Sequence, residues 1–176
     1  MKPEFSRPIR IDTLGPAPRS IAIEAEAEER EALARRFGLL SIAALSAQAS
    51  VSRAGEAVVA SGRLEAAVTQ ACVATGEPVE ARIAEDFRIE FRPHPETGPE
   101  EEIELGEDEL DVVFYDSAAV DLGEAVAESL SLALDPYPRS PASEAALKEA
   151  GVKSEEEARA ESSPFAALAG LKDKLK

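Results

Sequence analysis

The chain has no tryptophan and only one cysteine, one histidine and one methionine among its 176 residues. A single cysteine excludes an internal disulfide, which fits a reducing compartment. One cysteine and one histidine also cannot complete a four-coordinate zinc site. Neither phosphate-binding glycine pattern, G-x-x-x-x-G-K-S/T or G-x-G-x-x-G, occurs. No window approaches the ~18 apolar residues that suggest a spanning helix. The first residues, MKPEFSRPIRIDTLG, contain no apolar stretch of secretory length. The expectation is a cytoplasmic protein with no cofactor and no membrane contact. Aromatics make up 5% of the chain, and alanine supplies much of the 44% that is apolar. The core is therefore expected to be modest and aliphatic, in a chain long enough to build one without staples.

Positive charge is also scarce. Nineteen basic residues face 35 acidic ones, for a net charge of −16. Such a surface repels phosphate backbones and anionic lipid, and it favours basic protein partners. The same charge also serves solubility alone. The imbalance lies in residues 1–141, which carry a net −15, while residues 142–176 are close to neutral. Between Glu96 and Asp111 there are nine acidic residues and no basic one. That run reads as a solvated insertion between strands, or as a loop that meets a cationic partner. The usual RNA-binding modules find no support, because a basic stripe and interleaved surface aromatics are both missing. Local basic patches on the folded chain stay open, and with them direct contact to RNA.

The segments present read as a mixed fold. FSRPIRI (5–11) is a first strand, placed at an edge by Pro8. GPAPRS (15–20) is a turn, and residues 24–38 are a helix that acidic residues lead and Arg35–Arg36 and Gly38 end. Alternation predicts strands over 40–53, 57–73, 80–93 and 110–116. Residues 121–135 form the clearest helix, with Leu122, Val126, Leu130 and Leu134 on one stripe and Asp121 and Glu124 at capping-box spacing. Asp135 before Pro136 ends it. The resulting class is α+β: a curved antiparallel sheet that could close towards a barrel, with helices at 24–37 and 121–134 packed on it. Residues 1–141 form one domain. Residues 142–176 read as a mostly flexible tail, with a short amphipathic helix at 164–172 that carries Phe165, Leu168 and Leu171 on one face.

Catalytic machinery is hard to find. His94 lies between two prolines at a strand end, without partners that would orient it as a base. Asp108, Glu109 and Asp111 would suit a Mg²⁺-dependent ribonuclease, but such sites draw their carboxylates from separate elements. No catalytic and no metal-binding residue is assigned, and the expectation is a protein that is not an enzyme. Cys72 reads as a small residue at a strand-to-turn junction, with no histidine or second thiol near it in sequence to activate it.

Three stretches together carry a resemblance: CVATGEPV (72–79), VDLGEAVAESLSLALDPYPRSP (120–141) and SPFAALAGLKDKL (163–175). In this order and at these distances they resemble the YceD family of large ribosomal RNA subunit accumulation proteins, in the form seen in alphaproteobacteria. The resemblance implies a non-enzymatic cytoplasmic factor that supports 23S rRNA accumulation and processing during large-subunit biogenesis. Many members carry Cys-x-x-Cys at the first motif. Here Cys72 holds the first position and Thr75 stands at the second, and the stretch after the later helix offers neither Cys nor His. The family's thiols are therefore not carried over as a metal site. The implied partner is a basic ribosomal protein or a pre-ribosomal particle. Glu77, Pro78, Asp135, Pro136, Tyr137, Pro138 and Arg139 form one candidate partner surface; the alternative is that these prolines only direct the chain. Phe165, Leu168 and Leu171 form a second, which would make the protein an adaptor acting through its acidic surface and its terminal helix.

Overall fold

The computed structural model describes residues 3–94 and 111–152. Strand β1 (Pro8–Arg10) leads through a 3-10 turn (Ile11–Thr13) to β2 (Arg19–Glu24), and helix α1 (Ala27–Phe37) follows. Three long strands come next: β3 (Ser41–Ala54), β4 (Ala57–Ala71) and β5 (Pro78–Pro93). The chain continues with β6 (Asp111–Tyr115), β7 (Ala119–Asp121), α2 (Leu122–Ala133) and α3 (Ser143–Glu149). The main sheet has the order β2-β3-β4-β5-β6, and β1 pairs with β7 in a separate ribbon. The class is α+β, and the sheet does not close into a barrel.

Alternation decides which face is buried. On β4, Val58, Ala60, Leu64, Ala66 and Val68 all point into the core, as a period of two requires. Their neighbours Leu45, Ala47, Ala49 and Val51 on β3 and Phe87, Ile89 and Phe91 on β5 join them. A register shift between Ile42 and Ala44 lets both Ile42 and Leu45 face inward, because a bulge adds one residue to the strand. At Gly62, the centre of the β4 row, a Cβ would meet the Gln48 carbonyl oxygen at 2.0 Å and the Ala49 Cα at 2.8 Å. Only glycine lets the two strands approach that closely.

Helix α2 lays Leu122, Val126 and Leu130 onto the sheet. Its cap is Asp121, whose carboxylate accepts from the Gly123 and Glu124 N–H groups at 3.0 and 3.2 Å. The same carboxylate accepts from the Arg7 N–H and the Ser6 hydroxyl. Glu124 does not complete a capping box; it pairs instead with Arg36, which also reaches Glu4. Arg36 thus ties α1, α2 and the N-terminal stretch together. Gly123 allows the Phe5 carbonyl to lie where a Cβ would sit 2.3 Å away. Arg7 forks onto the Glu29 carboxylate of α1 at 2.7 and 2.8 Å, which holds that carboxyl below the usual range.

Several details depart from expectation. Residues 19–24 form β2, where the sequence reads as a turn running into a helix; Ile21 and Ile23 alternate against Ala49 and Ala47 of β3, and pairing overrides the helical composition. The sheet is antiparallel except for β6, which pairs parallel to β5. The connection through residues 95–110 is long enough for the crossover that a parallel pair needs. The acidic run that fills this connection lies outside the described residues, apart from Asp111. Residues 143–149, in the stretch expected to be a tail with transient helix, form α3, and Ser143 is buried.

Candidate functional site

The strand-to-turn junction at the end of β4 and the exit of α2 meet in space. The Cys72 N–H donates to the Glu77 carbonyl at 2.8 Å, and the Gly76 N–H donates back to the Cys72 carbonyl at 2.8 Å, closing the turn. The Val73 N–H donates to the Pro138 carbonyl at 2.9 Å. Below it, the Gln70 side-chain amide donates to the Asp135 carbonyl at 2.8 Å. The two stretches are thus stitched at two levels, across more than 60 residues of sequence.

A polar network completes the seam. The Ser140 hydroxyl donates to the Glu77 carboxylate at 2.6 Å and lies 3.2 Å from the Thr75 hydroxyl. Thr75 donates to the same carboxylate at 3.1 Å and accepts from the Glu77 N–H at 3.3 Å. Ser140 is buried, and its carbonyl accepts from the Ser143 N–H at the start of α3. Cys72 is buried against this network. The Ser140 N–H, with the Thr75 hydroxyl beside it, favours the thiolate and lowers the thiol pKa from 9.0 to about 6, because hydrogen-bonding groups around the sulfur stabilise the charged form. Sequence reasoning looked for a histidine or a second thiol as activator and missed this. The donors are a backbone amide and hydroxyls that only the fold brings to the sulfur. The one available signal was Thr75 at Cys-x-x-Cys spacing.

One thiol, one carboxylate and two hydroxyls do not make a zinc donor set, which needs thiolates, imidazoles or carboxylates at four corners. Among the described residues no three His, Cys, Asp or Glu side chains cluster as metal ligands would.

The structure brings the first candidate surface together. Glu77, Pro78, Asp135, Pro136, Tyr137 and Arg139 are exposed around the seam, while Pro138 is buried in it. The Asp135 carboxylate accepts from the Tyr137 N–H at 2.8 Å, which fixes the turn after α2. Tyr137 is 71% exposed and Val73 56%. The second candidate set, Phe165, Leu168 and Leu171, lies outside the described residues, as do Asp108 and Glu109. Asp111 opens β6 in an exposed position. His94 is exposed and packs its ring 5.4 Å from that of Phe114. No described helix is long and apolar enough to cross a membrane.

No curated protein and no solved structure matches the chain. The family model described as "Large ribosomal RNA subunit accumulation protein YceD" matches residues 60–172. That span holds most of β4, all of β5, the whole seam and most of the terminal motif. The chain belongs to this family, and with it to the proteins of ribosomal-subunit biogenesis.

Proposed function

We propose that this protein is a non-enzymatic factor that supports 23S rRNA accumulation and processing by holding a cationic ribosomal protein or pre-ribosomal particle at the seam between β4 and the exit of α2. The observation that carries this reading is the joining of residues 72–78 and 135–140 into one surface, with Tyr137 and Val73 exposed beside Glu77 and Asp135. An exposed aromatic within an acidic rim suits a basic partner. The net charge of −16 steers such a partner and opposes free RNA.

Co-purification from cells at physiological salt tests the proposal. Recovery of a basic ribosomal protein that persists after ribonuclease treatment is expected. Retention of naked 23S rRNA with no protein bound would overturn it. Incubating the purified protein with precursor rRNA and Mg²⁺ tests the absence of an enzymatic role: the rRNA is expected to stay intact, and cleavage lost on Asp111→Ala would reverse that assignment.

A further inference from the structure

We propose that residues 163–175 of this chain dock into the groove between α2 and β5 of the same molecule. The groove encloses about 580 Å³. Leu64, Phe87 and Ala133 line it, together with Leu132, which is 79% exposed on a side of α2 away from its buried stripe. Its lining also holds Glu85, Asp86, Arg88 and Asp111, three carboxylates to one cation. Glu85 is the register partner of Leu64, and Asp111 that of Ile89, so both lie on the helix-bearing side of the sheet. Neither is in an ion pair among the described residues. Glu85 falls between Ile83 and Phe87, where the strand pattern asks for an apolar residue. A carboxylate at that position, beside uncovered leucine, suits a cover that is apolar and ends in positive charge.

The segment SPFAALAGLKDKL has that form. Phe165, Leu168 and Leu171 recur every three residues, and Lys172 and Lys174 follow. Other grooves suit it less. The one between α1 and β3 sets Arg30 and Arg35 against the single carboxylate of Glu31, and the one beside β1 and β2 carries Arg7, Arg10 and Arg19 with no carboxylate in its lining. The acidic connection before Asp111 is a poor occupant, because it would set more carboxylates against Glu85. From Val152 to Ser163 the chain spans up to roughly 36 Å when extended. Glu77 at the seam, just before β5, and Glu85 on the rim are eight residues apart, or roughly 26 Å of extended chain. A tether of this length holds the segment at about millimolar local concentration. The family match runs to residue 172, so one family model covers β5, most of β4 and most of this segment.

Hydrogen exchange on the full chain, with its mass measured by light scattering, tests the docking. In the unaltered monomer, amides of 163–175 should be protected about tenfold or more. Leu168→Asp should abolish that protection and speed exchange at 83–88 and 129–134. Leu132→Glu, at an exposed position that the fold does not need, should do the same from the groove side. Lys172→Glu with Lys174→Glu should cut protection by about two- to fivefold, as surface ion pairs allow. Unprotected exchange of 163–175 in the unaltered chain would overturn the proposal. Unchanged exchange at 83–88 in Leu168→Asp would also do so. Protection that grows with concentration alongside a dimeric mass would assign the groove to a second copy instead.

Discussion

Strand β4 passes through two regions that are held by different forces. From Val58 to Val68 its inward side chains are aliphatic, and shape holds them. At its exit, Cys72 is just as buried, but hydroxyls and backbone amides hold it. The inward face of the first region has no group that titrates, and its close packing resists changes in volume. The second contains a thiol with a lowered pKa, a buried serine and a carboxylate in one network, so it responds to pH and to the loss of single atoms. The stretch that carries the family motif is thus the polar end of the strand, not its packed centre.

The largest effect belongs to the packed centre. Gly62→Ala places a methyl group against the Gln48 carbonyl, which is backbone and cannot swing aside. Destabilisation of about 3 kcal/mol is expected, at the upper end for overpacking. Denaturant unfolding with an unchanged slope would measure it. A loss below about 0.5 kcal/mol would mean that β3 and β4 separate easily, and the contrast between rigid centre and adaptable exit would fail.

At the exit, Ser140→Ala removes the 2.6 Å bond to Glu77 and the hydroxyl that lies beside Cys72. The expected cost is about 1–2 kcal/mol, the range for losing a partly buried bond to a charged group. The thiol pKa should rise from about 6 part of the way back, because the Ser140 N–H remains. Thiolate absorbance against pH would report this, and an unmoved pKa would remove Ser140 from the network.

Cys72→Ser then separates the two regions by pH. The folded pKa, about 6, lies below the ordinary 9.0. Unfolded chains therefore bind more protons between these values, and stability rises with pH there. The thiolate contribution is complete above about pH 9 and is lost as pH falls through about 6. The gap in unfolding midpoint between the native chain and Cys72→Ser should widen across this window, while Gly62→Ala should shift stability evenly at every pH. Equal pH slopes in the native chain and Cys72→Ser would show that the sulfur is held as a neutral thiol.

Most of the frame was legible from periodicity. The three long strands, α1 and α2 stand close to where alternation and the 3.6-residue stripe put them, because burial on one face leaves that pattern in the sequence. What was not legible depended on partners. Arg19–Glu24 becomes a strand because β3 offers it an edge, and Asp111–Tyr115 runs parallel because its connection is long. The membership of the seam in one surface was legible as two motif segments. Its chemistry was not, since no spacing rule shows that Ser140 lies beside Thr75 and Cys72.

The smallest expected change in stability separates fold from function at the seam. The Tyr137 side chain is 71% exposed, and its turn is fixed by its backbone N–H on Asp135 rather than by the ring. Tyr137→Ala should therefore alter stability by less than about 0.5 kcal/mol. If the ring anchors a cationic partner, binding should fall by about tenfold or more, as loss of an aromatic anchor does. Arg139→Glu should act in the opposite direction, because Arg139 is the only cationic residue in the two motif segments that form the seam. Isothermal titration with the co-purified basic protein would measure both. Weaker binding in Arg139→Glu would mean that Arg139 meets an anionic group of the partner, and the reading of the seam as a site for positive charge would fail.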